Sequence, residues 1–243
     1  MSWSYSVVLT SCKRFDLLDR TLRSLLPRLD GPLDEIVVIE DSPLPEIKDV
    51  LHAINPDIRL LQNDPQLGQM RSLDRIYQTI QSTHAFHCED DWEFTRKGFI
   101  NESIALLDEF ENVSMVGLRP RHELNPRVQN SPKSTLGDLE FFHLDPKAHP
   151  EYFSYSFNPG LRRMADILPF LPMAAKGGEH DISYQFKKAG FHIANLEHPA
   201  VKHIGDERHV PDPTTRPKPK TLPQRLRRST EKRWKRLKRL FKP

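Results

Sequence analysis

Residues 86–94 read FHCEDDWEF, an apolar run typical of a buried β-strand followed directly by acids. The carboxylates of Glu89, Asp90 and Asp91 repel one another, and a divalent cation or a hydrogen-bonding ligand would offset that repulsion. Mg²⁺ and Mn²⁺ favour carboxylate oxygens together with substrate phosphates. A solvated acidic loop is the simpler alternative. The position favours a ligand site, because ligands of parallel sheets bind at the carboxyl ends of the strands.

Outward from this stretch, strand-like and helix-like patterns alternate. Short apolar runs lie at 6–10, 36–39, 58–61 and 85–88, and apolar residues recur at helical spacing in 15–26 and 67–80. This alternation predicts an α/β fold with a mostly parallel, Rossmann-like central sheet flanked by helices. A second acidic pair, Glu40 and Asp41, also ends a predicted strand. We therefore expect both acidic clusters to face one crevice.

The second half of the chain has weaker patterns. They predict a helix at 99–110, a strand at 113–118, helices at 160–171 and 178–189, and two short strand-like pieces within 191–203. Residues 119–137 are expected to form a polar loop, and the segment from there to residue 156 has no readable pattern.

Charge is distributed unevenly along the 243 residues. Residues 216–243 hold 13 Lys or Arg and one acid, a net charge of +12, whereas the 215 residues before them hold 23 cations and 32 acids, a net charge of −9. We expect a globular domain at 1–210, a Pro-rich linker at 211–220 and a basic helix at 221–243. The first residues predict neither a secretory signal nor a membrane span. Cys12 and Cys88 are too few for a disulfide framework, which makes a reducing cytoplasm the expected compartment.

The basic segment has an apolar stripe. At 100° per residue, its apolar side chains fall within an arc of about 120°, namely Leu222, Leu226, Trp234, Leu237, Leu240 and Phe241. A cationic amphipathic helix of this kind is typical of an anionic membrane interface. A disordered basic tail and a nucleic-acid-binding segment are the alternatives. The acidic body argues against nucleic acid, because it would be repelled by a phosphate backbone and supplies no basic groove.

Two further positions are candidates for chemistry. Glu179 and Asp181 begin the predicted helix at 178–189, where acids suit the positive helix end and need have no other role. His203 follows a strand-like piece, and a lone histidine is most often a structural hydrogen-bonding residue.

Four segments together resemble a known group, the bacterial family 2-like nucleotide-sugar glycosyltransferases with the GT-A fold. They are 7–14 (VVLTSCKR), 36–42 (IVVIEDS), 67–71 (LGQMR) and 86–94, and the likeness continues through 157–161 (FNPGL) to 203–205 (HIG). The resemblance covers about residues 6–210. Each segment alone is weak evidence for the family, but four of them in the expected order and spacing are specific for it.

The resemblance implies roles for residues at the donor site. Thr10 and Arg14 are similar to first-loop positions near the nucleotide, Asp41 to the carboxylate that binds the base, and Arg71 to a basic residue near the diphosphate or ribose. The acids at 89–91 take the place of the DxD-type motif, with Asp91 as a ligand of Mn²⁺ or Mg²⁺ and with Asp90 and Glu89 directed toward ribose or metal-bound water. Glu89 is one methylene longer than the usual Asp, a departure from the family pattern.

The resemblance also assigns the two further positions. Glu179 matches the catalytic base of inverting members, with Asp181 as the fallback, and His203 matches a histidine that completes the metal shell, with His209 as the alternative.

The predicted function is metal-dependent, inverting transfer of a sugar from a nucleotide-sugar, by resemblance a UDP-sugar, to a hydroxyl of a surface glycan or lipid-linked acceptor. The enzyme is expected to be cytoplasmic and to lie on the inner face of the membrane through 221–243. The alternatives are a retaining transferase and a catalytically inactive GT-A-like module that its tail recruits to membrane or nucleic acid. A sugar nucleotidyltransferase is disfavoured, because its first loop is Gly-rich and residues 10–15 contain no Gly.

Overall fold

The computed structural model describes residues 3–205, 208–215 and 221–240. The chain divides into two compact units, 1–210 and 211–243. Part of the predicted linker, 216–220, and the end of the predicted basic helix, 241–243, lie outside the described residues.

The globular unit is built from eleven strands and six α-helices among its described residues. The strands are β1 (Tyr5–Ser11), β2 (Leu33–Glu40), β3 (Arg59–Gln62), β4 (His84–Glu89), β5 (Trp92–Phe94), β6 (Val113–Gly117), β7 (Lys133–Leu136), β8 (Leu139–His143), β9 (Gly160–Arg163), β10 (His192–Leu196) and β11 (Val201–His203). The helices are α1 (Phe15–Leu25), α2 (Ile47–Ile54), α3 (Gln69–Tyr77), α4 (Phe99–Glu109), α5 (Met164–Ile167) and α6 (Glu179–Lys188). The second unit contains α7 (Leu222–Leu240).

Nine strands form one sheet in the order β3-β2-β1-β4-β9-β6-β10-β8-β7. The first four are parallel, with Thr10 of β1 between Ile39 and Glu89 and with Ser11 opposite Glu40. The carboxyl ends of β1, β2 and β4 therefore meet at one edge, as expected. The predicted α/β fold with a central sheet is confirmed, although the second half of the sheet is mixed, since β9 is antiparallel to both of its neighbours.

Strand β9 corrects the prediction of a helix over 160–171. Only Met164–Ile167 is α-helical there, and the segment before it pairs between β4 and β6. The cause is a long-range packing contact. A Cβ at Gly160 would lie 2.4 Å from the carbonyl oxygen of Val116, so glycine is required for β9 to enter the sheet.

Two hydrophobic cores lie on opposite faces of the sheet. Val7 and Leu9 of β1 pack in the core that contains Leu18 of α1, whereas Val8 packs in the core that contains Leu73 of α3. Successive strand residues point to opposite faces. Both faces are covered, which explains why β1 reads as a continuous apolar run rather than as an alternating one.

The predictions for 119–156 were incomplete, because β7 begins at Lys133 inside the expected loop and forms a hairpin with β8. The two strand-like pieces expected in 191–203 are confirmed as β10 and β11. Strand β11 pairs with β5 in a small separate sheet, with His203 opposite Trp92. This pairing brings the end of the globular unit back to the acids after β4.

Helix α7 presents exposed apolar side chains. The exposed fractions are 69% for Leu222, 60% for Leu226, 61% for Trp234 and 49% for Leu237. No helix in the described part of the chain is both long enough and apolar enough to cross a membrane.

Candidate active site

Arg14, in the loop after β1, binds two of the three acids that follow β4. Its guanidinium pairs with Asp90, and its Nη1 lies 2.8 Å from Oδ2 of Asp91. The N–H of Cys12 also donates to Asp90, at 3.3 Å. Burial alone would lower the pKa of Arg14, but the charges of Asp90 and Asp91 raise it above its usual value. The guanidinium therefore stays charged.

Asp90 is 1% exposed, and both of its carboxylate oxygens accept hydrogen bonds from the first loop. The structure thus gives Asp90 a role in joining that loop to the end of β4. Its predicted contact with ribose or with metal-bound water stays a prediction.

Asp91 lies against the C-terminal loop of the globular unit. Its Oδ2 is 3.5 Å from Nε2 of His203, and its carbonyl accepts the N–H of Ile204 at 2.9 Å. The imidazole packs edge-on against Trp92, with ring centroids 4.9 Å apart. A Cβ at Gly205 would lie 2.6 Å from Asp91 Oδ2, so this approach requires glycine.

The pair of Asp91 and His203 has the chemistry of a divalent-metal site. Oδ1 of Asp91 is buried and has no hydrogen-bond partner among the described residues. Carboxylate oxygen and neutral imidazole nitrogen are both ligands of Mn²⁺. Within the described ranges, no three His, Cys, Asp or Glu side chains converge closely enough to hold a metal ion. Two protein ligands fit a cation that takes its other ligands from substrate phosphates and water.

Glu89 is the last residue of β4 and is bound by a side chain of α3. Nε2 of Gln69, at the start of α3, donates to its Oε1 at 2.7 Å. Burial, together with the charges of Asp91, Glu179 and Asp90, raises the pKa of Glu89 to about 8. Because Glu179 contributes to this shift, the first turn of α6 and the end of β4 are close enough for their carboxylates to interact.

Asp41 organises the loop between β3 and α3. Its Oδ1 accepts the N–H of Leu67 at 2.7 Å and Nδ2 of Asn63 at 2.8 Å, and its Oδ2 accepts the N–H of Gly68 at 2.9 Å. Asp41 is 6% exposed. A carboxylate oxygen can accept two hydrogen bonds, so Oδ2 has room for one further donor, such as a base N–H.

Thr10 and Arg71 are less closely tied to this network. Thr10 is largely buried in β1 opposite Glu89. Arg71 is exposed on α3 and lines an open groove of about 470 Å³ with Asp74, Arg75, Gln78, Pro172, Ala174 and Ala175. The predicted nucleotide contacts of both residues stay predictions.

Glu179 is the first residue of α6, and its carboxylate is held from the segment before β9. Oγ of Ser156 donates to its Oε1 at 2.8 Å, and the N–H of Phe157 donates to the same oxygen at 3.3 Å. Both donors reach one oxygen, which leaves Oε2 for other contacts.

Asp181 has a different environment from Glu179. It is 5% exposed, and its Oδ2 accepts the N–H of Gly178 at 3.2 Å and lies 3.4 Å from Nε2 of His180. The carboxylate thus caps the start of its own helix, the structural role that the sequence left open for both acids.

Three contributors to the site were not predicted. They are Gln69, which binds Glu89, Ser156, which binds Glu179, and Arg208, whose carbonyl accepts Nη1 of Arg14 at 3.1 Å. Gln69 lies within the 67–71 segment that carries the family resemblance, so its position was a usable signal. Ser156 and Arg208 have no local pattern.

Three solved structures with related folds were compared with the chain. GalNAc-T7 with UDP, GalNAc and Mn²⁺ is 16% identical with a TM-score of 0.62, and 84% of this chain is covered. The mannosyltransferase PcManGT from Pyrobaculum calidifontis, in complex with GDP-Man and Mn²⁺, is 11% identical with a TM-score of 0.59 over 82% of the chain. TarS 1–349 from S. aureus is 16% identical with a TM-score of 0.58 over 83%.

These likenesses establish the GT-A fold. The chain spans 44%, 55% and 59% of the lengths of the three proteins. A comparison with curated proteins gave no significant match. The family model for glycosyl transferase family 2 matches residues 6–167, which is more than half of the chain and runs from the second residue of β1 to the end of α5. The chain therefore belongs to glycosyl transferase family 2.

Proposed function

We propose that the protein transfers a sugar from a nucleotide-sugar to a hydroxyl of a glycan or lipid-linked acceptor, with inversion at the anomeric carbon. One observation carries this proposal: Asp91, just after β4, has a buried Oδ1 with no partner among the described residues and lies 3.5 Å from His203. The charges of Asp91 and of Glu179, at the start of α6, also raise the pKa of the neighbouring Glu89. A metal-ligand candidate and a base candidate thus share one site at the carboxyl edge of the sheet. Ligands of α/β sheets bind at that edge.

The donor's nucleotide would bind along β1 and β2. Asp41 has an acceptor position left for a base N–H, while Thr10, Arg14, Arg71 and Glu89 are the proposed contacts of the ribose and diphosphate. UDP and GDP-Man are bound in two proteins of similar fold. A UDP- or GDP-sugar is therefore the proposed donor class.

Asp91 and His203 are the proposed ligands of Mn²⁺ or Mg²⁺. The metal would neutralise charge on the departing nucleoside diphosphate, which makes it a better leaving group. Arg14, already bound to Asp91, adds a fixed positive charge beside the same position. Mn²⁺ is present in the GalNAc-T7 and PcManGT structures.

Glu179 is the proposed general base. Ser156 and Phe157 orient its carboxylate through Oε1, so that Oε2 can take the proton from the acceptor hydroxyl as that oxygen attacks the anomeric carbon. Attack on the face opposite the leaving diphosphate gives inversion. Asp181 is disfavoured as the base, because its carboxylate caps α6.

Binding of the donor can be tested by thermal unfolding with a panel of UDP- and GDP-sugars, with and without Mn²⁺. A ligand at 100 times its Kd stabilises the folded state by about 2.7 kcal/mol. For a chain of this size we expect the midpoint to rise by about 5 °C or more with the correct donor and Mn²⁺, and by less without the metal. A cooperative transition that no donor shifts in the presence of Mn²⁺ would contradict the proposal.

We also propose that α7 lies on the anionic inner face of the cell membrane, where it would bring the enzyme to lipid-linked acceptors. Its exposed leucines and Trp234 supply the apolar stripe, and ten Lys or Arg lie between residues 225 and 242. Each cation near an anionic surface contributes about 1 kcal/mol. A helix with this charge would lie in the interface rather than span the bilayer.

We expect the full chain to sediment with vesicles that contain phosphatidylglycerol, and a chain that lacks 221–243 to stay in the supernatant. A Leu226→Asn, Leu237→Asn variant keeps every charge and serves as the matched control. It should bind more weakly and lose its binding more readily with added salt, because only the electrostatic attraction remains. Equal vesicle binding by the full and truncated chains would refute the role of α7.

A further inference from the structure

Arg162 is a buried arginine without an acidic partner. It lies on β9, is 0% exposed, and forms no salt bridge with any described residue. Its guanidinium instead donates to three backbone carbonyls, those of Ser156 at 2.6 Å, Asn158 at 3.1 Å and Gly160 at 3.4 Å. The guanidinium carbon also lies 5.2 Å from the ring centroid of Tyr155.

A buried cation that no carboxylate neutralises is costly, because it loses its hydration and gains only partial charges in return. No carboxylate of a described residue lies within ion-pair distance to reduce this cost. His87, on the adjacent strand, is fully buried, and burial together with the charge of Arg162 lowers its pKa well below the usual value. The imidazole is therefore neutral. An apolar side chain of similar size would be the less costly choice if packing were the only requirement.

The carbonyls that Arg162 binds belong to the segment that holds Glu179. The carbonyl oxygen of Ser156 accepts a hydrogen bond from the guanidinium, and its Oγ donates one to Glu179. The side-chain Nδ2 of Asn158 donates to the same Oγ at 2.7 Å, and the backbone N–H of Phe157 donates to Glu179. Arg162 thus binds both ends of the segment 156–158. The Oγ of Ser156 and the N–H of Phe157, in the same segment, bind the carboxylate of Glu179.

We propose that Arg162 is a positioning residue for Glu179: its planar fork fixes residues 156–158 in the conformation that orients the carboxylate. This inference rests on the role proposed above for Glu179 as the base. A lysine at this position would keep the charge, but it would present a point charge instead of a fork that bridges two carbonyls. The carboxylate would then be held less well, and a misplacement of about 1 Å can lower a rate about 100-fold.

The test compares Arg162→Lys with Arg163→Lys. Arg163 is the next residue on β9, and its guanidinium also donates to three backbone carbonyls. These belong to Leu107 in α4, to Glu111 in the following loop and to Val113 at the start of β6. Arg163 also pairs with Asp166 at 2.7 Å, so the control removes a carbonyl-binding fork from the same strand that differs from Arg162 in having an acidic partner. We expect kcat of Arg162→Lys to fall 10- to 100-fold, with the KM for the donor changed less than about twofold. Arg163→Lys should keep kcat within about twofold. Equal kcat values for the two variants would overturn the inference.

A double-mutant cycle tests whether Arg162 acts through Ser156. Ser156→Ala should lower kcat in the wild-type background and have little further effect in Arg162→Lys, because the link is already lost. Multiplicative losses would mean that the two residues act independently, which would also overturn the inference.

Hydrogen exchange supplies a readout that needs no activity. The amides of residues 156–158 should exchange at least tenfold faster in Arg162→Lys than in wild type, and at the wild-type rate in Arg163→Lys. Unchanged exchange in Arg162→Lys would contradict the role of Arg162 in fixing this segment. If wild type transferred no sugar, the proposed function would fail, whereas the exchange result would still decide whether Arg162 fixes the segment. If Glu179→Gln were inactive and Arg162→Lys fully active, the inference alone would fail.

Discussion

Replacement of Glu179 by Gln is expected to lower the rate of sugar transfer by about 10³-fold, because the amide cannot take the proton of the acceptor hydroxyl. Gln has nearly the same shape as Glu and can still accept from Ser156 and Phe157 at its carbonyl oxygen. The fold and the donor affinity should therefore change little. Initial rates of transfer, with a donor titration by thermal shift, measure both quantities.

Asp181→Asn is the matched comparison for this variant. It also converts an acid to its amide in the first turn of α6, and its side-chain oxygen can still accept the N–H of Gly178. We expect a loss of less than tenfold in transfer. If the larger loss followed Asp181→Asn, with Glu179→Gln active, the two roles would have to be exchanged.

Replacement of Asp91 by Asn should abolish metal binding and lower kcat/KM by about 10³-fold, a loss of several kcal/mol in stabilisation of the departing diphosphate. An amide oxygen is a weaker, neutral ligand, and Arg14 would keep only its contact with Asp90 to balance its charge. Isothermal titration of Mn²⁺ into the UDP-bound protein measures the affinity directly. Undiminished Mn²⁺ affinity in Asp91→Asn would remove this residue from the metal site.

His203→Ala should have a smaller effect, about tenfold in Mn²⁺ affinity, the low end of the losses that follow removal of a side chain supporting a metal site. The side chain of His203 is 41% exposed, so water can take its place. His209, the alternative ligand from the sequence, is also exposed. A larger loss of affinity in His209→Ala than in His203→Ala would reverse this assignment.

The first half of the fold was predictable because its strands are short apolar runs that are buried on both faces. The runs at 6–10, 36–39 and 85–88 correspond to β1, β2 and β4, and the acids after them lie at one edge as expected. Strand β9 was not predictable from local pattern. Its second and third residues, Leu161 and Arg162, are both fully buried, so neither alternation nor hydrophobicity marks it as a strand.

The types of residue at the site were predictable, but their partners were not. The sequence placed acids at the end of β4, yet it contained no sign that Arg14, 76 residues earlier, would neutralise Asp90. The residue pattern alone did not distinguish Glu179 from Asp181, since both begin the same helix, and only the family resemblance ranked Glu179 first. The distinction depends on Ser156 and Gly178, which contact the two carboxylates only in the folded chain.

The most direct test of the proposed function is release of nucleoside diphosphate from a panel of UDP- and GDP-sugars by the full chain with Mn²⁺, with and without added glycan or lipid-linked acceptors. We predict slow hydrolysis of one donor by wild type, stimulated by the correct acceptor, abolished by EDTA and strongly reduced in Glu179→Gln. Binding of a donor without turnover of any member of the panel, under every acceptor condition, would contradict an enzyme and favour a catalytically inactive module of the same fold.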